Sequence, residues 1–136
     1  MTIVALYVSA LIAFLVLDIL WLQNVTYPIF EREVGEMLAD PPRLGVAVGF
    51  YLFYVAGVVY FAALPALRDG GLGAAALNGA LLGLLAYGTY EMTNMATLKD
   101  WTWTLVVIDV PWGVVLTSAT AVASVWVTRA LGLGPG

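Results

Sequence analysis

Residues 2–22 read TIVALYVSALIAFLVLDILWL, an apolar run broken by one charge, Asp18. A helix needs about 20 apolar residues to cross a hydrocarbon core about 30 Å thick, and this run meets that length. Three further segments do the same. Leu44 to Leu67 is bounded by Arg43, Pro65 and Arg68; Leu72 to Leu98 contains Glu91; Thr104 to Leu131 contains Asp109 and Pro111. These runs predict an all-α, four-helix transmembrane bundle, up-down-up-down, forming a single membrane domain over residues 1–136. The first run lacks a basic leader and a small-residue cleavage site, so it reads as a retained helix rather than a signal peptide.

Composition agrees. The chain is 62% hydrophobic and 10% charged, with a mean hydropathy of +0.97, whereas soluble domains carry about 25% charged residues. Five Lys and Arg among nine acids cannot coat a phosphate backbone, so nucleic acid is excluded as a partner. No cysteine and no histidine occur, which removes disulfides, thiolate chemistry and the usual transition-metal ligands. Carboxylates alone suit Mg²⁺, Ca²⁺ or Mn²⁺, but no metal and no cofactor is expected.

Between the first two segments, residues 23–43 hold Glu31, Arg32, Glu33, Glu36, Asp40 and Arg43. Phe30, Val34, Met37 and Leu38 interleave at helical spacing, which predicts a short amphipathic helix at the membrane interface, stopped by Pro41-Pro42. Small residues recur four apart as Ala5, Ser9 and Ala13; Gly45 and Gly49; Ala75, Gly79 and Gly83; and Gly113, Thr117 and Ala121. Such stripes let membrane helices approach closely. Arg32, Arg43 and Lys99 fall on the side of the long connection, and Arg68 and Arg129 on the other, so the positive-inside rule turns the long connection to the cytoplasm.

The acids carry the chemistry. At 1.5 Å per residue, Asp18 lies about 6 Å inside the end of its segment, Glu91 about 10 Å and Asp109 about 8 Å. Three helices thus bring a carboxylate to nearly one depth in one leaflet. Ionised together with no base beside them, they would repel one another, so some must be protonated, share protons, hold a cation, or be reached by Arg43 or Lys99. Lys99 is expected to snorkel outward instead. Helical spacing puts Tyr87, Asn94 and Met95 beside Glu91, Trp112 beside Asp109, and Trp21 beside Asp18. Tyr51 and Tyr54 come from the second segment, Arg43 stands at its mouth, and Asn24 can approach from the long connection. Trp101 and Trp103 read as interfacial belt residues. Pro111 should kink the fourth helix beside Asp109. Asn78, near the other end of its segment, reads as a helix-helix contact.

The run Tyr90-Glu-Met-Thr-Asn-Met-Ala-Thr-Leu-Lys99, followed by Trp101 and by Asp109-Val-Pro-Trp-Gly113, with Asp18 and Trp21 in the first segment, resembles the bacterial membrane family called domain of unknown function 2177. The resemblance covers nearly the whole chain. It implies a four-helix integral membrane protein and supplies no established reaction.

Three functional readings remain. In the leading one, a lipid or isoprenoid-like molecule is modified in one leaflet of a bacterial cytoplasmic membrane. Glu91 and Asp109 form an acid/base pair, Asp18 tunes or shares the proton, and Tyr87, Tyr90, Asn94, Trp112, Trp21, Tyr51, Tyr54 and Arg43 bind the substrate. Double-bond isomerisation or cyclisation fits this inventory. The second is a small proton- or cation-coupled transporter or channel, working as a homo-oligomer. The third is a non-catalytic lipid-binding subunit. Clustering of polar groups in one leaflet favours a pocket over a conduit.

Overall fold

The structure is a computed structural model that describes residues 1–134; the last two residues of the expected 1–136 domain lie outside the described residues. Four helical bodies follow one another: α1, Thr2–Met37; α2, Leu44–Gly70; α3, Leu72–Thr97; and α4, Trp103–Ala130. Each is long and apolar enough to cross a membrane. Among the described residues there is no strand. Gly71 alone separates α2 from α3, at φ 99°, a backbone angle that glycine adopts at little steric cost. A short turn after Leu98 reverses the chain into α4, so the helices run up-down-up-down.

The first helix differs from its expected bounds. It does not stop at Leu22, and no loop separates it from the amphipathic segment. The α-helix Thr2–Trp21 passes through a π-helical turn, Leu22–Thr26, into Tyr27–Val34 and a 3₁₀ turn, Gly35–Met37. Pro28 explains the π turn. Its ring lacks an N–H and would clash with the carbonyl four residues back in a regular helix, and one extra residue per turn relieves both problems. The same device recurs in α2, where the π turn Val59–Ala63 precedes Pro65 at the same spacing. Asn24 is engaged on its own helix: its Nδ2 donates to the Leu20 carbonyl at 2.7 Å, so it does not reach toward the acids. At about 54 Å, α1 is far longer than a bilayer core. Its last turns fold onto the start of α4, with Val34 and Phe30 packed on Trp101, Leu105 and Val106. Glu33 Oε1 accepts a hydrogen bond from Thr102 Oγ1 at 2.8 Å, fastening the overhang there. Met37, expected on the apolar face, is exposed.

Packing centres on α4. It is a continuous α-helix from Trp103 to Ala130, with Pro111 inside it. A Cβ on Gly79 would lie 2.8 Å from the Thr117 carbonyl oxygen, and one on Gly83 would strike the Gly113 carbonyl. Backbone therefore meets backbone across the α3–α4 contact, as the small-residue stripes of these two helices require. Two hydroxyls reinforce the hub, Ser118 Oγ donating to the Ala76 carbonyl at 2.9 Å and Ser124 Oγ to the Leu6 carbonyl at 2.8 Å.

The other two stripes do not form contacts of that kind. On α1 the buried row is Leu6, Ala10, Phe14 and Asp18, one position along from Ala5, Ser9 and Ala13. Gly45 and Gly49 face open space. The whole first part of α2 is loosely held. Val46 and Phe53 are 72% exposed, while Val58, Ala62 and Ala63 further along are fully buried. The second half of α2 is packed into the bundle, and the first half stands at its edge.

Candidate functional site

The loose end of α2 makes room for a cleft of about 840 Å³. Every helix contributes to it: Asp18, Leu22, Thr26 and Phe30 from α1; Phe50, Tyr51 and Tyr54 from α2; Tyr87 and Tyr90 from α3; Asp109 and Trp112 from α4. Leu82, Leu85, Ala86 and Thr89 complete its α3 wall. Phe50 and Leu85 are themselves largely exposed, so the cleft opens sideways, toward what would be lipid.

Each acid has a distinct setting. Asp109 and Asp18 are nearly buried and line the cleft. Glu91 is fully buried and does not line it. It stands behind Asp109, and the two carboxyls adjoin each other. Trp101 Nε1 donates to Glu91 Oε1 at 2.8 Å, leaving Oε2 with no N–H or hydroxyl donor. A proton shared between the two carboxyls would satisfy that oxygen, the usual outcome when two carboxylates occupy one dry site. On the α1 wall, Asp18 Oδ1 accepts from Trp112 Nε1 at 3.2 Å, and the Tyr51 hydroxyl stands beside the same carboxylate. Among the described residues no Lys or Arg lies within 4 Å of these three acids, and the ion pair present is Arg32 with Glu33 at 3.7 Å. Arg43 and Lys99 are exposed. The three acids are not grouped tightly enough to ligate one metal ion together.

The aromatic frame holds these positions. Phe14 lies 5.0 Å from Tyr51 and 5.7 Å from Tyr54, ring centre to ring centre. The Tyr54 hydroxyl pairs with Thr117 Oγ1 at 2.8 Å, and its ring meets Tyr87 edge-on at 6.4 Å. A Cβ on Gly113 would strike the Tyr87 ring, so glycine there is the seat of that tyrosine. Trp112 stacks on Trp21 at 4.3 Å and 7°, offset-stacked aromatic contact that fixes the indole plane.

Several expected site residues fall elsewhere. Trp21 lies behind Trp112, facing a separate shallow groove with Pro111 and Val107. Asn94 stands beside Tyr90 but outside the cleft wall. Arg43 precedes α2 and also lies off the wall. Trp101, read from its position as a belt residue, is buried and bonded to Glu91; Trp103 is the exposed member of that pair. The turn after Leu98 reverses the chain within a few residues, so Trp101 returns beside the helix that carries Glu91, and a buried indole N–H needs an acceptor.

The family model for the predicted membrane protein family DUF2177 matches residues 3–126. The chain belongs to that family. The matched span takes in Asp18, Glu91, Trp101, Asp109 and Trp112, so the carboxyl pair and both indoles bonded to acids fall within the family's own region. No curated protein matches the chain, and no solved structure does.

Proposed function

We propose that the protein binds a lipid or isoprenoid-like amphiphile in one leaflet of a bacterial cytoplasmic membrane and moves a proton on it. The observation that carries this reading is the pairing of a sideways-opening aromatic cleft with Asp109 on its wall and Glu91 sealed behind it, without a base nearby. Glu91 and Asp109 hold a proton between them; Trp101 fixes Glu91, and Asp109 presents the proton to the cleft. Asp18, steadied by Trp112 and Tyr51, takes a proton from another carbon of the same molecule. Addition at one carbon and removal at another is a double-bond isomerisation, balanced in protons and electrons. The face of Trp112 or a tyrosine would stabilise positive charge developing between the two steps. Asp18 and Asp109 touch substrate in this scheme; Glu91 and Trp101 act through Asp109.

The test is mass spectrometry of total lipid extracts from cells expressing wild type, Asp109→Asn, Glu91→Gln, or no copy. A species that changes with wild type and with neither variant supports the reading and names the substrate. Identical profiles from well-expressed proteins overturn it.

A second reading, a proton- or cation-coupled carrier, draws on Thr117, Thr120, Ser124 and Thr128, a fully buried row of hydroxyls continuing along α4 from the cleft. Its test is proton flux in liposomes, which Asp109→Asn should abolish.

A further inference from the structure

The charges and walls of the cleft also bear on which amphiphile it accepts, an inference that rests on the reading that the cleft binds one. The ionisable groups facing the cavity, other than tyrosine hydroxyls, are the carboxyls of Asp18 and Asp109. Behind Asp109, Glu91 is fully buried, and one proton shared by that pair still leaves an excess of acidic groups without a compensating positive partner inside the protein. A headgroup carrying phosphate, sulfate or carboxylate would bring a further like charge into a site of low polarity, which is strongly unfavourable. A neutral headgroup would leave the imbalance as it stands. A positive headgroup would relieve it. The remaining walls suit the same charge, because the rings of Tyr51, Tyr87 and Trp112 line the cavity and aromatic faces attract ammonium groups, most strongly when water is excluded. Toward the opening the wall turns apolar, with Phe50, Leu82 and Leu85, which suits a hydrocarbon chain.

We infer that the cleft selects a lipophilic cation, an amine or quaternary ammonium on an apolar chain, over neutral and anionic amphiphiles of the same length. The ammonium sits between Asp18 and Asp109, and the chain leaves toward the lipid past Leu82 and Leu85.

The experiment uses the full-length protein in nanodiscs, with empty nanodiscs subtracted, and follows tryptophan fluorescence. Four probes of one chain length are titrated: dodecylamine, dodecyltrimethylammonium, dodecanol and dodecyl sulfate. The two cations should bind at least tenfold tighter than the alcohol, and the sulfate should bind weakest. In Asp18→Asn with Asp109→Asn, the cations should fall to the affinity of the alcohol, and alcohol binding should persist. Equal binding of cations and alcohol to wild type overturns the charge preference and leaves the amphiphile cleft standing. A cation preference that survives in the folded double variant overturns it as well, by tracing the preference to the bilayer. Failure of all four probes to bind folded wild type overturns both the preference and the cleft.

Discussion

Where Gly79 and Gly83 lie against Thr117 and Gly113, α3 and α4 touch backbone to backbone; toward the first turns of α2, helices stand apart and Tyr51, Asp18 and Asp109 face a cleft. Both regions belong to one bundle, and both bury polar side chains. In the first, hydroxyls are tied off on neighbouring carbonyls, as with Ser118 on Ala76 and Ser124 on Leu6. In the second, three carboxyls are held by indole N–H donors and by one another, without a countercharge. Lipid offers no hydrophobic drive for helices to associate, so close packing must come from small residues. Where they meet, the bundle is tight; where α2 carries its glycines outward instead, a space is left that polar aromatic residues line. The packed region supplies rigidity, and the open one supplies the cleft.

The sharpest break of this contrast is Gly83→Leu, which drives a side chain into the Gly113 carbonyl. It should prevent accumulation of folded protein, and Gly83→Ala should cost about 1–3 kcal/mol, read as a fall in melting temperature in detergent. Trp101→Phe comes next. It strips the donor from a fully buried carboxyl oxygen, at about 1–3 kcal/mol, and should be partly rescued when combined with Glu91→Leu, because the orphaned carboxyl oxygen is then removed. Tyr54→Phe removes the pairing with Thr117 and should cost about 0.5–1.5 kcal/mol. Gly49→Ala, with nothing within 4 Å of the new methyl, should stay within about 0.5 kcal/mol of wild type. If Gly49→Ala proves as harmful as Gly83→Ala, the first part of α2 is packed in the membrane and the contrast fails.

Much of this architecture is legible from residue order, for identifiable reasons. Four apolar runs set four spans because only a helix can satisfy its own backbone in lipid. Helix rise placed the acids at similar depths, and in the structure Asp109 neighbours both Glu91 and Asp18. Other features were hidden. The charges between Glu31 and Arg43 suggested an interfacial helix set apart from a first span ending at Leu22, yet a charged face can continue the same helix, and only the extra residue of a π turn was needed to carry α1 past Pro28. The buried row Leu6, Ala10, Phe14 and Asp18 could not be singled out by hydropathy, since every face of a lipid-facing helix is apolar. Ala5, Ser9 and Ala13 sit one position away for that reason. The glycines of α2 had the right spacing without a partner to meet. Trp101 depended on where a short turn pointed it, which neither composition nor period encodes.

The most direct measurement is native mass spectrometry of the protein released from its own membrane, compared with Ala86→Trp, which fills the cleft from the α3 wall. Wild type should carry a bound amphiphile of defined mass, and the variant should emerge without it at an unchanged melting temperature. Identical adducts on both proteins, or none on wild type under gentle release, would contradict a cleft built to hold a membrane molecule beside Asp109.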